Sequence, residues 1–125
     1  MKKETPERYL ANAKETLAKV GIEDNRYVDI KYVKSACGIA YLGILKAIDD
    51  YLLKHGADEE KLPRKVEEYR KALTKYSVHN GKLLGQFNAL YRELHIAGYY
   101  HGDLQHVVVV KDTLKIAKDF VSTLS

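Results

Sequence analysis

Side chains that could do chemistry concentrate in one short segment near the C-terminal third of the chain. Arg92 and His95 are three residues apart, so on an α-helix they would share a face. Arginine binds phosphate groups, histidine exchanges a proton near neutral pH, and tyrosine rings stack on nucleic-acid bases. We therefore take the following set as the candidate ligand-binding site: Arg92, His95, Tyr99, Tyr100 and His101.

This segment permits two functional interpretations and a structural one. As a binding site, Arg92 would contact a phosphate and the two tyrosines would stack on a base. As a catalytic site, Arg92 would hold the phosphate of an RNA while His95 or His101 acts as acid or base. The structural alternative is the end of an amphipathic helix, with tyrosine rings covering the core and Arg92 paired to an acidic neighbour, Glu68 or Glu93.

Other chemistries find no motif in the sequence. His95, His101 and His106 follow neither the HExxH nor the ExxH spacing and have no cysteine nearby, so we predict no metal site and no cofactor. Cys37 lies in a strongly apolar stretch, which predicts a small buried side chain rather than a nucleophile. The acidic pairs, such as Asp49-Asp50, are typical of solvated helix faces.

Composition predicts a globular protein without membrane segments. The 125 residues suit a single domain, residues 1–125, and the net charge of +4 permits a nucleic-acid partner without requiring one. The single cysteine excludes an internal disulfide, and no apolar run approaches the ~20 residues of a membrane span. The opening Met-Lys-Lys-Glu does not resemble a signal peptide, so we expect a soluble cytoplasmic protein.

Hydrophobic periodicity predicts an all-α protein, an up-and-down bundle of four or five helices. The helices are expected at about Pro6–Lys19, Asp29–His55, Pro63–Tyr76, Gly81 to Ala97 or Tyr100, and His106–Ser122. Gly21 is the expected stop of the first helix. A polar loop is expected at 21–27, a turn at 79–81 and a break at 98–103, with no strand.

The second helix is long and central in this scheme. Beside its large apolar residues runs a stripe of small ones, Ala36, Ala40, Gly43 and Ala47. Glycine in mid-helix costs up to about 1 kcal/mol relative to alanine. We therefore expect another helix to approach closely at this stripe, either from the same chain or from a second copy.

The order of these features resembles the HEPN-type helical bundles. The resemblance rests on segments 33–47, 90–101 and 117–121. The chain is also similar to a small uncharacterised family of stand-alone helical proteins from Bacteroidetes-type bacteria. That similarity rests on segments 8–14, 31–34, 69–73, Gly98-Tyr99 and 102–104.

The HEPN resemblance implies one of two roles. Some HEPN bundles are metal-independent ribonucleases with an arginine, a gap of about four to six residues and then a histidine. Others lack this motif, bind nucleotides or protein partners, often act beside a nucleotidyltransferase, and commonly dimerise. Here two residues separate Arg92 from His95 and eight separate it from His101, so neither pair matches.

These considerations favour a non-catalytic binding or interaction module for a nucleotide, an RNA or a protein. We expect a homodimer, with a nucleotidyltransferase-type protein as a candidate partner. The alternative is a HEPN-type ribonuclease that uses Arg92, His95 and His101.

Overall fold

A computed structural model describes the chain at residues 4–76 and 80–125. It confirms the all-α helical bundle, although the expected turn residue His79 lies outside the described residues. The helices are α1 (Pro6–Ala18), α2 (Ile30–Lys54), α3 (Val66–Tyr76), α4 (Lys82–Leu90) and α5 (Val107–Leu124). A π-helix (Tyr91–Tyr100) continues α4 directly, and one 3-10 turn (Glu59–Lys61) precedes α3. None of the described helices is long and apolar enough to cross a bilayer.

The first helix begins at the predicted cap and ends before the predicted glycine. The backbone N–H of Arg8 donates to Thr5 Oγ1 at 3.2 Å, and Pro6 occupies the first helical position. The helix ends at Ala18, one residue before the predicted Lys19, and the N–H groups of Lys19 and Val20 bond to carbonyls three residues back, so Gly21 is not needed as the stop. Such tightened bonds close the last turn without a left-handed glycine.

Segment 21–27, predicted to be a loop, is a small β-hairpin. Strands β1 (Ile22–Glu23) and β2 (Arg26–Tyr27) pair antiparallel across the turn residues Asp24 and Asn25, whose φ angles are 51° and 64°. A two-residue turn with both φ angles positive matches the twist of the strands, and Asp and Asn tolerate it. The hairpin is anchored to the chain before α5, since the Tyr27 N–H donates to the Gln105 carbonyl at 2.9 Å.

Helix α2 forms the centre of the bundle, and α1 covers its small-residue stripe. A Cβ placed on Gly43 would lie 2.8 Å from Tyr9 Cβ and 3.3 Å from the Pro6 carbonyl oxygen. The stripe alanines are buried as well. The close partner of the stripe is therefore α1 of the same chain, and the stripe no longer argues for a second copy.

Of the two predicted ends of the fourth helix, Ala97 and Tyr100, the structure has the second, so the predicted break at 98–103 begins only after Tyr100. A Cβ on Gly98 would meet Cys37 Sγ at 2.5 Å and Cys37 Cβ at 2.8 Å. Gly98 is thus the point where the π-helix backbone approaches α2, and Cys37 is buried there as predicted. Helix α3 also differs, since it begins at Val66 and not at Pro63.

Candidate functional site

The π-helix changes which residues of the candidate segment lie over one another. Its N–H groups bond to carbonyls five residues back, as the His101 N–H does to the Ile96 carbonyl at 2.9 Å. Residues four or five apart then align, whereas residues three or four apart align in an α-helix. Tyr91, His95 and Tyr99 accordingly form a column, with ring centroids 5.5 Å and 5.8 Å apart.

His95 lies inside this column and against α2. Its ring stacks on Tyr41 at 4.7 Å and is nearly parallel to the Tyr99 ring, with an interplanar angle of 12°. Burial raises the pKa of Tyr41 to about 12, so its hydroxyl stays protonated at neutral pH. His95 is therefore half-buried among aromatic rings, an arrangement that favours packing over proton transfer to an exposed substrate.

Arg92 does not join His95, contrary to the expectation that the two would share a face. Arg92 is exposed, and in the described part of the chain no hydrogen bond, ion pair or cation–π contact links it to His95 or His101. The π-helical alignment is the physical reason, because residues three apart diverge in it. The expected pairing of Arg92 with Glu68 or Glu93 is also absent there; Glu68 accepts the Arg64 N–H at 2.7 Å.

The end of the π-helix exposes two adjacent tyrosine rings. Tyr99 is 47% exposed and Tyr100 is 68% exposed. Tyr99 lies against Gly38 of α2, where a Cβ would come within 2.8 Å of the ring. His101 meets Tyr100 edge to face at 5.1 Å. Of the five predicted site residues, the structure therefore brings together Tyr99 with His95 and Tyr100 with His101, and leaves Arg92 apart.

A polar cluster beside the aromatic column was not predicted from the sequence. Asp49, interpreted as part of a solvated face, has one carboxylate oxygen that is buried without a hydrogen-bond partner. Burial raises the Asp49 pKa, although a hydrogen bond from Tyr69 opposes the shift. Arg70 on α3 donates to Asn88 Oδ1 at 2.8 Å, pairs with Glu67 and lies 5.2 Å from the Tyr91 ring centroid. These contacts tie α2, α3 and α4 together and do not form an open site.

A concave surface at α1, the hairpin and α5 was also not predicted from the sequence. We call it the lysine groove: a cavity of about 610 Å³ between α1, the hairpin and α5. It is lined by Lys14, Leu17, Ala18, Val20, Ile22, Tyr27, Lys111, Leu114, Lys115 and Lys118. The available signal was the spacing of Lys111, Lys115 and Lys118, which is i, i+4, i+7 on α5. The hairpin supplies the end wall and was not predicted.

Across residues 4–76 and 80–125, no three His, Cys, Asp or Glu side chains come together as a set of metal ligands.

Comparison with known proteins yields a family without an assigned activity. A family model described as a domain of unknown function, DUF5618, matches residues 1–125. A solved structure of a protein of unknown function from Dyadobacter fermentans is 33% identical in sequence. The superposition has a TM-score of 0.78 and covers 95% of this chain and 88% of that chain. No curated protein sequence matches the chain.

Proposed function

The chain belongs to the DUF5618 family of domains of unknown function, and from its own residues we propose that it is a non-catalytic binding module for a nucleotide or a single-stranded RNA. The ligand would lie at the end of the π-helix, with a base stacked on Tyr99 or Tyr100.

The observation that carries this proposal is the exposed pair of tyrosine rings on a firmly held backbone. Gly98 packs on Cys37 and Tyr99 packs on Gly38, so the backbone beneath the rings is fixed against α2. Tyr100 is the most exposed of the large apolar or aromatic side chains in the described part of the chain. A preformed ring surface loses little conformational freedom on binding, and base–aromatic stacking contributes about 1–3 kcal/mol per base.

Cationic side chains near the rings would supply the phosphate contacts. A Cβ on Gly102 would lie 3.3 Å from Lys34 Cδ, so the Lys34 stem runs beside the turn that follows His101. Arg92 is exposed on the same helix as Tyr100, eight residues earlier, and four-residue spacing aligns the two in a π-helix. Arg92, Lys34 and His101 are therefore the proposed phosphate contacts, and His95 supports the Tyr99 ring.

The ribonuclease alternative ranks below binding. In-line cleavage of a phosphodiester needs a base and a cation held at one phosphate. Arg92 makes no contact with either histidine in the described residues, and His95 is stacked between tyrosines. The HEPN relationship itself stays part of this proposal, as does a cytoplasmic location, where nucleotides and RNA are available.

Homodimerisation also stays a proposal, on a surface other than the stripe covered by α1. Leu42 is exposed one turn along α2 from Gly38, against which Tyr99 packs. A dimer through this face would place two sets of tyrosine rings near each other, and a nucleotidyltransferase-type partner would compete for the same face. Light scattering during size exclusion tests the dimer; a monomer at high micromolar concentration would reject it.

Isothermal titration calorimetry with AMP and with a short oligo(A) RNA tests the binding function. Tyr100→Ala should weaken binding by about 5- to 150-fold, the range that 1–3 kcal/mol of stacking corresponds to. Tyr100→Phe retains the ring and should bind within about twofold of the parent. Parental affinity in both Tyr100→Ala and the corresponding Tyr99→Ala, or no binding by the parent, would reject the proposal. RNA that is cut by the parent but not by His95→Ala would favour the ribonuclease.

A further inference from the structure

The lysine groove lies where α1 ends and the hairpin that follows it meets the start of α5. After Ala18 the chain turns into β1, and the buried Tyr27 of β2 closes the groove at that end. Helix α5 forms the opposite wall through Leu114. The residues between the lysines form an apolar floor, and one lining residue, Ile22, is 52% exposed.

Four lysine side chains line this groove together with the apolar residues. Lys14 comes from α1, and Lys111, Lys115 and Lys118 come from successive turns of α5. In the described part of the chain, the side-chain ion pairs are Lys46–Asp50 and Arg70–Glu67, so none of the groove lysines has a carboxylate partner within 4 Å. Like charges gathered around a low-dielectric surface create a positive potential that attracts an anion.

The apolar floor continues beyond the groove along the seam between α1 and α5. A further hollow of about 230 Å³ shares Lys14, Leu114 and Lys118 with the groove and adds Leu10 and Val121. Glu7 also lines this hollow, two turns before Lys14. The positive charge is therefore concentrated toward the hairpin, and the seam offers apolar surface on the side away from it.

We propose that the lysine groove binds a small amphipathic anion, a phosphate or carboxylate attached to a hydrocarbon body. The head group would sit among the lysines, and the hydrocarbon would cover Leu17, Leu114 and Ile22. A volume of about 610 Å³ is within the roughly 300–1,000 Å³ of small-molecule sites. A concave site of this size favours a small molecule over a flat membrane surface, and the apolar floor distinguishes the ligand from a free inorganic anion.

Octyl phosphate below its micelle-forming concentration is the probe, measured by titration calorimetry against the full chain. Octanol provides the same hydrocarbon without charge, and inorganic phosphate provides the charge without hydrocarbon. We expect saturable one-site binding of octyl phosphate, with much weaker binding of the two half-probes. Affinity should fall as salt rises from about 0.02 to 0.2 M, because exposed charges are screened over about 10 Å at 0.1 M.

Two pairs of matched variants locate the site. One triple variant replaces the lysines of α5: Lys111→Gln, Lys115→Gln and Lys118→Gln. It should bind octyl phosphate about tenfold more weakly, since three favourable charge pairs are lost. The control triple, Lys65→Gln, Lys71→Gln and Lys75→Gln, removes equal charge from exposed positions at α3 and should change affinity less than about twofold. Ile22→Ser should weaken binding several-fold, and Ile116→Ser, at a residue 49% exposed outside the groove, should not.

Several results would overturn the proposal. They are no saturable binding of octyl phosphate, equal binding of octanol, or equal losses in the groove and control triples. If the protein sedimented with phosphatidylglycerol vesicles but did not bind octyl phosphate, the lysines would be assigned to a membrane surface instead. Binding of a polyglutamate peptide alone would assign them to an acidic protein. AMP binding at the π-helix is measured in a separate titration. Absence of binding at one of the two sites therefore does not affect the conclusion about the other.

Discussion

Replacement of Gly98 by alanine tests how closely the π-helix packs on α2. The added Cβ would lie 2.5 Å from Cys37 Sγ, 2.8 Å from Cys37 Cβ and 3.0 Å from the Glu93 carbonyl oxygen. The Cys37 Cβ and the Glu93 carbonyl oxygen cannot move away by side-chain rotation, so the helices must separate. Such overpacking costs about 1–3 kcal/mol.

An opposing effect must be subtracted from this cost. Alanine is favoured over glycine in helices by up to about 1 kcal/mol. The net destabilisation of Gly98→Ala should therefore be about 0–2 kcal/mol, and each kcal/mol lowers the melting temperature by about 4 °C for a chain of this size. Urea unfolding followed by circular dichroism at 222 nm measures it.

Gly85→Ala is the matched control, because Gly85 is also in a helix but a Cβ there would meet nothing within 4 Å. This variant should be more stable than the parent by about 0.5–1 kcal/mol. Cys37→Ala removes the Sγ atom, so the double variant with Gly98→Ala should lose less stability than the sum of the two single losses. If Gly98→Ala proved as stable as Gly85→Ala, the close approach of the two helices would be refuted.

Three further outcomes follow from buried or capping side chains. Burial raises the Asp49 pKa above its ordinary 3.8, so the folded state disfavours the ionised carboxylate. The free energy of unfolding of Asp49→Asn, measured in urea, should therefore rise relative to that of the parent between about pH 4 and pH 7. A difference between the two proteins that does not change with pH would contradict this. Burial also raises the pKa of the Cys37 thiol to about 12, so iodoacetamide at pH 8 should label Cys37 only after unfolding, and rapid labelling of the native protein would show that the thiol is accessible. Thr5→Ala removes the acceptor of the Arg8 N–H and should cost about 1 kcal/mol in the same unfolding assay, whereas Thr5→Ser should restore most of it.

The sequence predicted the bundle because its helices carry regular apolar stripes and recognisable caps. Helix α2 has an uninterrupted apolar pattern over some seven turns, and α5 keeps its pattern through Val110 despite the β-branched run. The hairpin was missed because its Asp24-Asn25 turn lacks the glycine that usually indicates such a turn. The sequence left the end of the fourth helix open between Ala97 and Tyr100, since a glycine needed for close packing and a glycine needed for a turn are identical in sequence.

The candidate site was predicted in part. Tyr99, Tyr100 and His101 lie at an exposed helix end, as the segment suggested, and Tyr99 also belongs to an aromatic column with His95. An α-helical wheel places Arg92 with His95, and no sequence pattern indicated that the hydrogen-bond spacing changes at Tyr91. The lysine groove depends on two helices and a hairpin that are distant in sequence, so the spacing of its α5 lysines could not by itself predict a groove.

A titration of ¹⁵N-labelled protein with AMP, followed by ¹H–¹⁵N correlation spectra, tests the proposed binding function most directly. We expect saturable shifts concentrated in the amides of 95–102 and near Lys34, with the amides of 111–118 unchanged. Spectra that do not change at millimolar AMP, or shifts confined to the lysine groove, would contradict a base-stacking site at the end of the π-helix.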